Sequence, residues 1–244
     1  MLDGIKRWLS GTTEPVPHGL EDVAAWAGGL QHSFRGLAED GFVVDGRLTD
    51  SGGAPELAGA VWRLEWGPSQ RPYIRGNELR LRAEPGVESE LQLLVVTRPL
   101  QEELEKSIFE QYVEDVQTRI DTQSPPEMRW LVMFPKLPGS EMGPLHEPYV
   151  ALGNAKPWLM AWLHGPLTQA LDVHAGYSQA PMVLMIGRGR LTLRMALDTP
   201  TVPEIKRCLT MFEVAMREAR RVHIDHPEGL PSGSSTEWGS STTR

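Results

Sequence analysis

Two segments alternate strictly between large apolar and charged residues, and this alternation constrains the fold most. Residues 62–66 read Trp-Arg-Leu-Glu-Trp, and residues 79–82 read Leu-Arg-Leu-Arg. Successive side chains of a strand point to opposite faces, so a period of two separates the apolar residues from the charged ones. Residues 61–84 therefore predict antiparallel sheet with one packed and one polar face.

Turn residues predict two hairpins. Gly76-Asn77 follows Tyr73-Ile74-Arg75 and precedes the second alternating run, and Gly-Asn supplies the positive φ angles of a two-residue hairpin turn. Gly187-Arg188-Gly189 separates the apolar run 182–186 from residues 191–197, which predicts a second hairpin. The two share a glycine followed by alternating Leu and Arg. Either a helix–hairpin–helix unit is duplicated, or two ordinary hairpins coincide.

Four segments carry apolar residues at spacings of three and four, which is typical of amphipathic helices. These predicted helices span residues 20–37, 100–120, 157–171 with an interruption at Gly165-Pro166, and 203–222. Residues 42–44 predict a short strand, and the compact apolar run 128–134 predicts a buried strand. The resulting fold class is α+β, with antiparallel hairpins packed on one side by amphipathic helices in a two-lobed arrangement.

Pro- and Gly-rich stretches predict the domain boundaries. We expect an N-terminal arm and linker at 1–17, a first α+β lobe at 18–134, a loop or linker at 135–148, a second lobe at 149–223 and a disordered tail at 224–244. The order helix, strands, helix in the first lobe is similar to that of the small acidic chaperones of secretion systems. That similarity is one of element order alone, and no motif identifies a family.

Composition and charge exclude several classes. The hydrophobic content of 40% excludes low-complexity disorder for the whole chain. A net charge of −8 argues against a dedicated nucleic-acid-binding domain, which needs clustered Lys and Arg. Cys208 is the single cysteine, so an intrachain disulfide and a Cys-rich zinc site are both excluded. The apolar runs are far shorter than the ~20 residues of a spanning helix, and we expect a cytoplasmic protein.

The first residues form a short amphipathic segment, with Leu2, Ile5, Trp8 and Leu9 on one side. One interpretation is an arm packed on its own domain. The other is a peripheral membrane anchor or partner-docking segment.

No motif in the chain predicts catalysis. The phosphate-binding loop, the GxSxG elbow and the HExxH metalloprotease helix do not occur. Gly187-Arg188-Gly189 is a bare GxG that a hairpin turn explains, and Cys208 is expected to be a packed, inert thiol. His223, Asp225 and His226 lack a further fixed ligand. We therefore predict no catalytic residue, no metal site and no cofactor, and lean against an enzyme.

The candidate binding residues are the arginines and tryptophans of the predicted sheet. Guanidinium groups on one polar face could bind carboxylate or phosphate, unless Glu65, Glu78 and Glu84 neutralise them within the molecule. The tryptophans either pack in the core or form an exposed patch that anchors a partner. The candidates are Arg63, Arg80, Arg82, Arg194, Trp62 and Trp66.

Two functions from different classes follow. The first is a non-enzymatic protein-interaction, regulatory or chaperone-like module whose partner is another protein. The second is an enzyme or small-molecule-binding protein with an anionic ligand held by the sheet arginines between the lobes. Unpaired arginines in a deep pocket would favour the second, and a flat sheet with every arginine paired to a carboxylate would remove its support.

Overall fold

The computed structural model describes residues 16, 18–37, 41–48, 55–114 and 124–226. Within these ranges one antiparallel sheet of eight strands runs in the order β1-β2-β3-β4-β8-β7-β5-β6. The strands are β1 (Ser33–Gly36), β2 (Phe42–Arg47), β3 (Val61–Pro68), β4 (Asn77–Ala83), β5 (Leu93–Thr97), β6 (Tyr149–Gly153), β7 (Met182–Gly187) and β8 (Arg190–Ala196).

Seven α-helices accompany the sheet in the described part of the chain. They are α1 (Glu21–Gly29), α2 (Arg98–Glu114), α3 (Pro126–Met133), α4 (Gly139–Met142), α5 (Lys156–Leu163), α6 (Pro166–Tyr177) and α7 (Val202–Asp225). Proline stands in the first turn of α3, α5, α6 and α7, where its missing N–H costs no intrahelical hydrogen bond. Thr201 caps α7 by accepting a hydrogen bond from the Glu204 backbone N–H. The α+β class with an antiparallel sheet is confirmed.

Helices cover both faces of the sheet, whereas the sequence predicted helices on one side. Helices α1, α5, α6 and α7 pack on the face that carries Trp62, Leu64, Leu81 and Leu193. Helices α2 and α3 pack on the opposite face over β5, β6 and β7. Strands β5 to β7 can be covered on both sides because nearly all of their residues are apolar.

One predicted helix was too long, and one predicted strand is a helix. The helix expected at 20–37 ends at Gly29, because a glycine pair is followed by Gln31 at φ +58°, and the chain then forms β1. Residues 128–134, predicted as a buried strand, belong to α3 and its C-cap. A short apolar run does not distinguish a buried strand from a helix, and the preceding prolines start a helix here.

The first hairpin was predicted with the wrong turn. Strand β3 continues through Gly67 to Pro68, which pairs with Asn77, so residues 69–76 form the connection. Tyr73 and Ile74, expected in a strand, are buried with the α2 and α3 core. The second hairpin is confirmed: Arg188 and Gly189 both have positive φ between paired Gly187 and Arg190.

The two strands that resemble each other in sequence are neighbours in the sheet. Strand β4 pairs with β8, and Leu81 lies opposite Leu193. Strands from both predicted lobes therefore belong to one continuous sheet, although the lobe boundaries and the duplication stay predictions.

The predicted linker 135–148 contains α4, a 3-10 turn at Gly143–His146 and a bridge from Lys136 to Leu152. Helix α7 extends to Asp225 and so includes the first two residues that were assigned to the predicted tail. The amphipathic segment with Leu2, Ile5, Trp8 and Leu9 and the tail beyond 226 lie outside the described residues.

Candidate functional site

Five strands place all of their charged residues on one face of the sheet. In the register of β1 to β4 and β8, every second residue shares this face, which is opposite the α7 layer. We call it the arginine face. It carries seven arginines and three carboxylates: Arg35, Arg47, Arg63, Arg80, Arg82, Arg190 and Arg194, with Asp45, Glu65 and Glu78.

A buried ion network lies at the centre of the arginine face. Arg80 and Arg194 are opposite each other on β4 and β8 and are 6% and 7% exposed. Glu78, 3% exposed, lies between them: its Oε1 accepts from Arg194 Nη1 at 2.7 Å and from Arg80 Nη1 at 3.1 Å. Glu65 Oε2 accepts from Arg80 Nη2, and from Arg82 Nη2 at 2.9 Å. Two carboxylates are thus shared by three guanidinium groups.

This shared network leaves the arginines short of negative charge. Burial, and then the neighbouring Arg82 and Arg194, lower the pKa of Arg80 to about 10. Burial and the nearby arginines likewise lower the pKa of Arg82. Both residues keep a buried Nε with no hydrogen-bond partner among the described residues. Among the described residues, two carboxylates therefore face the three guanidinium groups of this network.

The β3–β4 connection covers part of this network. Gln70 Oε1 accepts from Arg80, and Ser69 donates to Glu78 Oε2 at 3.3 Å. Arg71 and Tyr73 both donate to Glu127 of α3, with Arg71 Nε at 2.5 Å from Glu127 Oε1. Burial and then the Glu127 carboxylate raise the pKa of Tyr73, which keeps the phenol as a donor. This loop is thereby fixed across the sheet and joined to α3.

The outer part of the arginine face is open. Arg63 binds Asp45 with both ends of its fork, at 2.7 Å from Nε to Oδ1 and 3.1 Å from Nη2 to Oδ2, and both side chains are partly exposed. Arg35, Arg47 and Arg190 are exposed. Arg190 lies 3.6 Å from Glu84, which directly follows β4. No helix of the described ranges packs over this outer part.

The structure separates the six sequence candidates into two groups. Arg63, Arg80, Arg82 and Arg194 share the arginine face, as the alternation predicted, and each contacts a carboxylate. Trp62 and Trp66 point to the opposite face, where they are 1% and 8% exposed. Trp62 meets His32 edge to face, and Trp66 Nε1 donates to the Leu197 carbonyl at 2.7 Å. These tryptophans stabilise the core and do not form a surface patch.

Sequence reasoning missed Arg35 and Arg47 as members of this site. Arg35 lay in a predicted helix, and Arg47 lay beyond the predicted strand 42–44. The signal was present in part, because Val43, Asp45 and Arg47 alternate with apolar Phe42 and Val44. Gln70 and Glu127 reach the site through the β3–β4 connection and α3, and no local pattern signals either contact.

Other polar groups are buried in the helical layer. His174 Nδ1 lies 3.0 Å from the Tyr149 hydroxyl, and burial lowers its pKa to about 4. Cys208 is buried, and its burial raises the thiol pKa to about 12. In the described ranges, no three His, Cys, Asp or Glu side chains group in a way that could hold a metal ion. Nor does any helix there have the length and apolar character needed to cross a membrane.

Comparisons with known proteins assign no family. No family model matches the chain, and no curated protein matches it. One solved structure, the crystal structure of the mycobacterial trehalose monomycolate transport factor A, TtfA, matches with a TM-score of 0.49 and 9% sequence identity. The match covers 89% of this chain and 99% of that chain. Similarity at this level assigns no function to the chain.

Proposed function

We propose that the chain is a non-enzymatic protein-binding module whose arginine face binds an acidic segment of another protein. One observation carries this proposal. A chain with net charge −8 concentrates seven arginines against three carboxylates on five strands, and it leaves Arg35, Arg47, Arg63 and Arg190 exposed there. A regulatory or chaperone-like role in the cytoplasm belongs to the same proposal.

Segregated charge of this kind favours an acidic partner. The excess positive charge attracts an acidic surface during encounter, although the molecule as a whole repels it. Guanidinium forks then bind carboxylates with defined geometry, and arginine is enriched at protein interfaces. The arginines stand on paired strands, so little backbone order has to be acquired on binding.

A small anionic ligand is the weaker alternative. Arg63, Arg80, Arg82 and Arg194 each contact a carboxylate, and Arg80 and Arg194 are almost fully buried. A free anion that bound all four would have to displace these carboxylates. The exposed arginines lie spread over several strands, an arrangement that suits an extended segment better than a small molecule.

Charge reversal tests the proposal. The tagged full-length chain is compared with Arg35→Glu, with the double variant Arg35→Glu/Arg47→Glu, and with Lys206→Glu on α7, which is exposed on the other side of the sheet. Proteins captured from the source cells are quantified by mass spectrometry. We expect a companion with an acidic segment to be depleted about tenfold or more by the double variant and retained by Lys206→Glu.

If every companion survives the double variant, or if Lys206→Glu depletes the same companion as strongly, the arginine face is not the binding surface. Circular dichroism of all variants checks that they are folded.

A further inference from the structure

The side of the sheet that carries the arginine face has two unequal halves. Strand β8 carries Arg194 of this face, and Arg194 pairs with Val183 of β7, so both side chains point to the same side. Val183 lies in the core beneath α2 and α3, together with Leu94 of β5 and Val150 of β6. Helices therefore raise this side over β5, β6 and β7, whereas no helix of the described ranges covers it over β1, β2 and β3.

Helix α2 carries an acidic stripe on top of the raised half. Leu100 and Leu104 face the sheet and are buried, and exposed residues at spacings of three and four form one stripe on the outward side. We call it the acidic stripe. It holds three carboxylates, one ammonium group and one phenyl ring: Glu102, Glu103, Lys106, Phe109 and Glu110.

The open half has the opposite charge and a matching spacing. Its exposed arginines include Arg35 and Arg47. Arg35 lies opposite Val43, which is four residues from Arg47 along β2, so the two arginines are separated by about 13 Å in the strand direction. Glu102 and Glu110 are eight residues apart in α2, which is about 12 Å along the helix axis. The acidic stripe thus has the length and the charge to lie on the exposed arginines.

We propose that two copies of the chain associate through this side of the sheet about a two-fold axis, with the acidic stripe of each copy on the exposed arginines of the other. The raised and the open half lie on the same side of one sheet, so a single rotation forms both contacts at once. Such closed, isologous pairing is the commonest arrangement of soluble oligomers. It also removes exposed apolar side chains from water, among them Phe109 and Met133 of the raised half and Val61 of the open half, which are 68%, 61% and 54% exposed.

This inference goes beyond the proposed function and shares only the arginine face with it. A second copy and an acidic partner compete for the same arginines. The dimer is therefore the form in which the arginine face is covered until a partner displaces the second copy.

A charge swap tests the inference. Sedimentation equilibrium of the full-length chain gives the dimer dissociation constant for the wild type, for Arg35→Glu/Arg47→Glu, for Glu102→Arg/Glu103→Arg, and for the chain that combines all four substitutions. Asp172→Arg, exposed on α6 on the other side of the sheet, is the matched control. Circular dichroism checks that every variant is folded.

We expect the wild type to dimerise and each reversed pair to weaken the dimer about tenfold or more, because like charges then face each other at both contacts. The combined chain should return to within about threefold of the wild type, and Asp172→Arg should match the wild type. The inference is wrong if the wild type is monomeric up to about 100 μM. It is equally wrong if the dimer survives either reversed pair, or if the combined chain dimerises no better than the reversed pairs.

Capture of companions from the source cells separates this inference from the proposed function. Glu102→Arg/Glu103→Arg leaves the arginine face intact and should retain or increase the captured companion. If the wild type is monomeric and capture still depends on Arg35 and Arg47, only the dimer is excluded. If the dimer responds to the charge swap as expected and no companion depends on these arginines, the proposed function fails and the dimer stands.

Discussion

Substituting Glu78 by Gln tests the buried ion network at the centre of the arginine face. Glu78 is 3% exposed and is the carboxylate that bridges Arg80 and Arg194 across β4 and β8. Glutamine keeps the size of the side chain and removes its charge. Arg194 then loses its ion pair with Glu78, and Arg80 retains that with Glu65.

The expected loss in the free energy of unfolding follows from the burial of the Glu78 ion pairs. Breaking a buried ion pair by removing one partner costs about 3–5 kcal/mol, because an uncompensated charge stays behind. For a chain of this length, such a loss lowers Tm by roughly 6–20 °C. The exposed pair of Glu84 and Arg190, at 3.6 Å, provides the control: Glu84 has a 75% exposed side chain, and Glu84→Gln should cost less than about 1 kcal/mol.

A double variant separates charge from packing. Removing Arg194 together with the Glu78 charge, in Glu78→Gln/Arg194→Met, eliminates the orphaned guanidinium and should recover a large part of the lost stability. Urea unfolding followed by circular dichroism gives the free energies of unfolding. If Glu78→Gln lowers the free energy of unfolding no more than Glu84→Gln does, or if adding Arg194→Met destabilises further by a similar amount, the network is not the buried, positively charged cluster described above.

Three further predictions concern the face of the sheet that packs against α1, α6 and α7. Gly46→Ala should destabilise the fold by about 1–3 kcal/mol, because a Cβ at this position overlaps the Trp62 indole. The control Gly28→Ala in α1 should be neutral or stabilising, because its Cβ meets no atom within 4 Å. Chemical denaturation measures the free energy of unfolding of both variants. Burial lowers the pKa of His174 to about 4 in the folded protein. As the pH drops from 6.5 to 4, the unfolded chain therefore binds a proton at His174 more readily than the folded protein does. The free energy of unfolding should fall by up to about 3 kcal/mol over this range. His174→Gln should flatten that pH dependence in unfolding titrations, and an unchanged slope would contradict this assignment. Cys208 should react with a thiol reagent only after unfolding, because it is buried with a pKa of about 12, and rapid labelling of the native protein would show that the thiol is accessible.

The polar and apolar faces of the sheet could be predicted from sequence because they are local properties. The alternation at 62–66 and 79–82 correctly placed Arg63, Arg80 and Arg82 on one side and the tryptophans on the other. The pairing of β4 with β8 joins residues more than a hundred positions apart, and no periodicity encodes such a partner. The opposed pair Arg80 and Arg194, and hence the buried network, therefore became visible only in the structure.

The β3–β4 connection shows why a strong local signal can mislead. Gly76 does adopt positive φ, as a turn at Gly76-Asn77 requires. The apolar residues before it, Tyr73 and Ile74, gain more by packing under α2 and α3, and Tyr73 also bonds to Glu127. The burial of Tyr73 and Ile74 thus outweighed the local preference for a two-residue turn at Gly76-Asn77. The longer connection that results contacts Arg80 through Gln70.

Site-specific photo-crosslinking shows directly whether the arginine face binds an acidic protein segment. A photoreactive amino acid replaces Val61, which is 54% exposed on this face opposite Arg47, or Val173, which is exposed on α6 as the control. We predict that position 61 crosslinks in cells to one protein at a peptide rich in Asp and Glu, that position 173 does not, and that Arg35→Glu/Arg47→Glu abolishes the crosslink. If position 61 yields no protein beyond those crosslinked at 173, or if its crosslinked peptide is not acidic, the arginine face does not bind an acidic segment.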